Sequence, residues 1–189
     1  MDIKRIIEQK SIKILFQPIL SPLEPLQLNI ECFLRGVDTD TGETIMPLCL
    51  IEEAKAKDLV LELDKVVVEL AFERFKPICD AYPRAFLNIN INTSIFTKDK
   101  KSTFIIDAAK QIGIPTSHVI IDLGFTDIEP ESSELVLDFI RVHRDAGFCI
   151  SLDDIGRDYS NLDKVLLFNP DIIKINHCLI EKLGNSSYR

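Results

Sequence analysis

The sequence predicts a β/α fold in which mostly parallel strands are covered by helices. Apolar, β-branched runs alternate with segments of helical period, the pattern of strands buried beneath helices. At 189 residues and 46% hydrophobic content, the chain can bury a sizeable core without disulfide or metal staples. Polar residues also break into four of the apolar runs at corresponding ends. No repeat, low-complexity tract or linker interrupts residues 1–189, which read as one domain.

Six strands are expected, over 12–19, 26–34, 86–91, 119–123, 148–152 and 172–175. Between the first two, Ser21-Pro22 to Pro25 is too short for a crossover helix, so these strands should be antiparallel and the later ones parallel. Two helices separate the second and third strands, and in the latter helix Leu63, Val66, Val67, Leu70 and Ala71 fall at helical spacing. Ser102 is placed to cap the next helix, in which Ile105, Ala109 and Ile112 share a face before Gly113 stops it. Leu135, Phe139, Val142 and Ala146 define another helix, closed by Gly147, and a short helix over 159–168 ends at Asn169-Pro170.

The formal net charge of -8 repels polyanions, which argues against a DNA or RNA polymer as partner. An anionic ligand must then be met by a local basic group or a metal ion. Cys32, Cys49, Cys79, Cys149 and Cys178 lack CxxC spacing and read as reduced core thiols, pointing to a reducing, cytoplasmic compartment. No apolar stretch reaches the length of a membrane span or a signal-peptide core.

The chemistry lies where polar residues interrupt strands: Glu31, Asn90, Asp122 and the pair Asp153-Asp154. A carboxylate on a buried strand is costly unless paired or metal-bound. Four strands interrupted by such polar residues at corresponding ends suggest a shared site, as at the C-terminal strand ends of β/α barrels. Oxygen ligands without His or Cys favour Mg²⁺, Mn²⁺ or Ca²⁺. Singly, each residue has a plainer reading: Asp153-Asp154 before Gly156 fits a turn or cap, Glu31 with Arg35 fits a surface ion pair, and Asn90 and Asn92 fit turn formers. Lys174, within an isoleucine run, requires an anionic neighbour or a wet pocket.

In order along the chain, Phe16-Gln-Pro-Ile19, Glu31-Cys-Phe-Leu-Arg35, Asn90-Ile-Asn-Thr93, Val119-Ile-Ile-Asp122, Leu152-Asp-Asp-Ile-Gly156 with Tyr159-Ser-Asn-Leu162, and Pro170 to Asn176 resemble the motifs of the EAL family of cyclic di-GMP phosphodiesterases. The resemblance implies a TIM-like (β/α) barrel whose first strand is antiparallel. By motif position it makes Glu31, Asn90, Asp122, Asp153 and Asp154 metal ligands and gives Glu31, Asp153 and Lys174 the catalytic roles, Lys174 orienting or activating the attacking water. Gln17 and Arg35 would contact the nucleotide. The implied cofactor is Mg²⁺ or Mn²⁺, with Ca²⁺ as an inhibitory type, and the implied reaction opens cyclic di-GMP to linear pGpG.

The sequence departs from the family pattern at several of these positions. Cys32-Phe33 replaces Ala-Leu, Asp122 stands for a glutamate, Phe125 for a second glutamate that steadies the Asp153-Asp154 loop, and Asn176 for an aspartate. About six of eight barrel strands are expected, because two further β/α units of the family, with another glutamate ligand and a substrate-contacting glutamine, have no counterpart before Arg189. An arc of six strands leaves an edge that invites self-association or a covering domain. Three functions follow as expectations: a phosphodiesterase, a receptor for cyclic di-GMP with compromised catalysis, or an interaction module without the nucleotide. The second is the favoured reading.

Overall fold

The computed structural model describes residues 1–20, 27–92, 96, 103–124, 133–156 and 162–185, with residues 162 and 182–185 described by their backbone alone. Helix α1 (Ile3–Glu8), capped by Asp2, precedes β1 (Ile12–Ile19) and β2 (Leu28–Val37). A two-residue strand β3 (Thr44–Ile45) leads into α2 (Pro47–Ala56) and the long α3 (Val60–Ala81). The remaining elements are β4 (Ala85–Ile91), α4 (Phe104–Ile112), β5 (Val119–Gly124), α5 (Ser133–Asp145), β6 (Cys149–Ile155), α6 (Leu162–Phe168), β7 (Ile172–Ile175) and α7 (His177–Asn185).

The sheet runs in the order β1-β2-β4-β5-β6-β7, with β3 added to β2. As expected, β1 is antiparallel to β2, and β2, β4, β5, β6 and β7 are mutually parallel. Period-two alternation sorts the central strands. Leu87, Ile89, Ile91, Val119, Ile121, Leu123, Ile150 and Leu152 are buried among the apolar core. Asn88, Asn90, Asp122, Ser151 and Asp153 take the alternate positions and so the opposite face. Helix α3 supplies Leu63, Val67, Ala71, Phe72 and Phe75 to the core at i, i+4 and i+8 spacings. Among the described residues no helix is long and apolar enough to cross a membrane.

Several expectations need correction. The buried face of α5 is Val136, Phe139, Ile140 and His143, rotated from the expected stripe of Leu135, Phe139, Val142 and Ala146. His143 belongs to this face because its ring packs on Phe139, with centroids 3.9 Å apart, and meets Phe148 edge-on. A count of apolar residues leaves a histidine out. The thiols are all free, but only Cys32 and Cys79 are buried; Cys49 and Cys178 are exposed and are not core residues. Gly113, at φ 79, ends α4 by donating its N–H to Ala109, as read from sequence, whereas Ser102 lies outside the described residues. The short helix spans Leu162–Phe168, and Tyr159 lies outside them too.

Candidate metal centre

Parallel register aligns the polar residues. Gln17 pairs with Glu31 across the β1–β2 ladder, Asn90 lies beside Asp122, and Asp122 beside Ser151. The result brings carboxylate oxygens of Glu31, Asp122 and Asp153 within 4.8 Å of one another. Lys174 enters the same group from β7: its Nζ bonds Asp122 Oδ2 and lies 3.3 Å from Glu31 Oε1. This is the anionic neighbourhood its place in an isoleucine run requires. Asn90 joins by donating from Nδ2 to Glu31 Oε1 at 3.2 Å and to the Cys32 carbonyl at 3.4 Å.

Two sequence-named residues stand apart from this group. Asp154 adopts φ 60 and turns to Asn176, whose Nδ2 donates to Asp154 Oδ1 at 2.7 Å. Its own N–H donates to Asp153 Oδ1 at 2.8 Å, so it steadies Asp153 through the backbone while its carboxylate is engaged elsewhere. Arg35 does not pair with Glu31; its Nη1 donates to the neighbouring Leu34 carbonyl. Gln17 is exposed beside Glu31. Phe125 lies outside the described residues.

The electrostatics follow from burial. Asp122 is 1% exposed, and burial pushes its carboxyl up to about 6 against the opposing pull of Lys174. Burial also raises Asp153. For Lys174, burial works against the charge, but Asp122, Glu31 and Asp153 outweigh it and raise the ammonium above the usual lysine value. At neutral pH the Asp122 carboxylate therefore faces a charged amine. Asp122 Oδ1 and Ser151 Oγ are buried on adjacent strands, and the serine hydroxyl is a lesser influence that lowers the Asp122 carboxyl. An all-oxygen donor set drawn within 4.8 Å, with one carboxylate buried, fits a hard divalent cation.

A cavity of about 270 Å³ adjoins the centre, with Glu31, Asn90 and Asp153 as its polar lining and Phe33, Pro47, Ile51 and Val67 among its apolar residues. Sequence reasoning missed Asp64 of α3, which accepts the N–H of Asn92 at 3.2 Å just beyond β4. Burial pushes that carboxyl up to about 7. An aspartate inside an amphipathic helix carries no signal that separates it from solvent-facing neighbours.

Fold and site together define a β/α protein with a carboxylate centre at the C-terminal ends of parallel strands. The chain belongs to the EAL domain family, whose model matches residues 1–189. It is 25% identical over 178 residues to the probable cyclic di-GMP phosphodiesterase PdeB of Escherichia coli, covering 94% of this chain and 34% of that protein. The chain spans between 22% and 39% of the length of the first three curated relatives. Among solved structures, the PaMucR phosphodiesterase in complex with c-di-GMP superposes with TM-score 0.81 at 21% identity, over 98% of this chain and 75% of that one. The FimX EAL domain from Pseudomonas aeruginosa bound to c-di-GMP gives 0.84 at 15% identity, over 98% and 75%. These likenesses establish the EAL barrel fold, of which the described strands form an open arc.

Proposed function

We propose that this domain binds cyclic di-GMP through a divalent cation and turns it over weakly or not at all, acting in the cytoplasm. The observation that carries the reading is the convergence of Glu31, Asp122, Asp153 and Lys174 from four strands. A bound Mg²⁺ or Mn²⁺ would polarise a phosphodiester and supply hydroxide near neutral pH. Glu31, Asp122 and Asp153 are the residues to hold it, with Asn90 orienting Glu31. Gln17, exposed beside Glu31, would contact the dinucleotide, as would Arg35, which lies ~13 Å further along β2 at the same strand parity. The neighbouring cavity offers apolar walls against which a base can pack. Weak turnover is supported by the short side chain of Asp122 and by the engagement of Asp154 with Asn176.

The test is calorimetry with cyclic di-GMP in Mg²⁺, Mn²⁺ or Ca²⁺ and in chelator, together with a pGpG product assay blanked by Glu31→Ala. Metal-dependent binding with turnover near the blank is the expected result. Turnover well above the blank would restore an active phosphodiesterase, and absence of binding would leave an interaction module. That second reading has its own support. On the outer strand β7, Ile172, Ile173 and Ile175 are 36–53% exposed, and Ile180 of α7 is 53% exposed. Such a surface suits self-association or a covering domain, and sedimentation over a concentration series reads it out.

A further inference from the structure

Resting on the metal-site reading above, we propose that Lys174 is a tethered counter-cation: without metal, its ammonium occupies the place of the divalent ion among Glu31, Asp122 and Asp153, and it must withdraw for the ion to enter. Three carboxylates drawn within 4.8 Å repel one another, and Asp122, with a fully buried side chain, has no solvent to screen it. The amine of Lys174 relieves that repulsion from inside the group. It bonds Asp122 Oδ2 and reaches Glu31 Oε1, and it is the one cationic side chain among the described residues recorded in ion pairs with them.

The same side chain has a way out. Lys174 is 22% exposed, so its flexible stem can carry the amine from the carboxylates to solvent. A lysine is suited to exchange of this kind, since its charge is a compact ammonium on a flexible four-carbon stem, whereas an arginine fork would be held by its geometry. Because ammonium and metal compete for the same oxygens, the two equilibria are linked. Whatever affinity Lys174 withholds from the metal appears as stability of the metal-free fold.

Two measurements test this. In the first, the wild-type domain is treated with an amine-acylating reagent in chelator and in saturating Mg²⁺ or Mn²⁺, and labelling of Lys174 is followed by peptide mass spectrometry. Lys174 should be protected in chelator and react several-fold faster with metal, while Lys76, ion-paired on α3 with Asp80, stays constant. In the second, calorimetry of Lys174→Met should give Mg²⁺ affinity about tenfold or more tighter than wild type. Its thermal midpoint should fall in chelator and recover with metal. Lys174 labelling that is unchanged or slowed by metal overturns the proposal, as does a Lys174→Met affinity that is unchanged or weaker. Were neither protein to bind Mg²⁺, Mn²⁺ or Ca²⁺, the metal-site reading itself would fall and take this inference with it, an outcome separate from metal binding with an unmoved lysine.

Discussion

Replacing Asp122 by asparagine should stabilise the metal-free protein while abolishing its response to metal. The carboxyl is raised from 3.8 to about 6, with burial as the larger cause and Lys174 opposing it. At about 1.4 kcal/mol per pKa unit, holding Asp122 ionised in the fold costs roughly 3 kcal/mol once pH exceeds the folded value. A group whose folded pKa is raised keeps its proton more tightly in the native state, so wild-type stability falls as pH climbs from about 4 to about 6. Asparagine keeps the shape and has no charge to desolvate. It deprives Lys174 of one partner, but Glu31 remains 3.3 Å away and the lysine can reach solvent. The gain of Asp122→Asn should be near zero at pH 3.5 and approach 3 kcal/mol by pH 7.5, roughly 6–12 °C for a chain of this size. Calorimetric unfolding in chelator across pH 4–8 measures it, and a repeat with Mg²⁺ should stabilise wild type only. An Asp122→Asn protein less stable than wild type at pH 7.5 in chelator would refute the reasoning, because the ion pair would then outweigh the burial it accompanies.

Asp64 is raised to about 7 by burial, so it too erodes stability as pH rises from about 4 to 7, and Asp64→Asn should flatten that slope in urea titrations while keeping an acceptor for the Asn92 N–H. His143 has the opposite sign. Its Nδ1–H donates to the Phe139 carbonyl, its Nε2 is buried without a partner among the described residues, and burial lowers its pKa, so stability is lost as pH falls below about 6.5. His143→Phe should lose less stability between pH 7 and pH 5 than wild type. Gly147→Ala should cost about 1–3 kcal/mol in thermal unfolding, since φ is +95 and the added Cβ would sit 2.8 Å from Thr116 Oγ1.

Much of the arc was legible because its signals are local. The 172–175 strand reads directly from an isoleucine run bounded by Pro170 and Asn176, and the antiparallel β1–β2 pair follows from a connection too short for a helix. Lys174 announced its partner because a lysine among isoleucines has few solutions, and Asp122 and Glu31 are those partners. What stayed hidden depends on tertiary placement. The six-residue α1 buries Ile3 and Ile6 but is too short for a periodic signal, and β3 is two residues defined by pairing with Gly36 and Val37. Asn88 and Asn90 share strand parity and differ only in depth along β4. Both use their amides, but Asn88 is buried against the Ile30 carbonyl while Asn90 reaches Glu31.

Strand parity also bears on Asp153 and Asp154. Consecutive residues of a strand point to opposite faces, so both carboxylates can serve one centre only if the chain reverses between them. The positive φ of Asp154 supplies such a bend, but its Oδ1 ends on Asn176. The same asparagine accepts the Cys178 N–H at the start of α7, so one amide ties the end of β6 to the helix after β7. An aspartate at position 176 could not donate to Asp154 while ionised, and the two charges would push apart, freeing Asp154 to turn toward the centre. In-line hydrolysis by two metals needs ligands fixed around both ions. With Asp154 engaged by Asn176, the residues drawn together are the three carboxylates of Glu31, Asp122 and Asp153 with Asn90 beside them, so Asn176→Asp should weaken the hold on Asp154, read as a change in metal affinity by calorimetry.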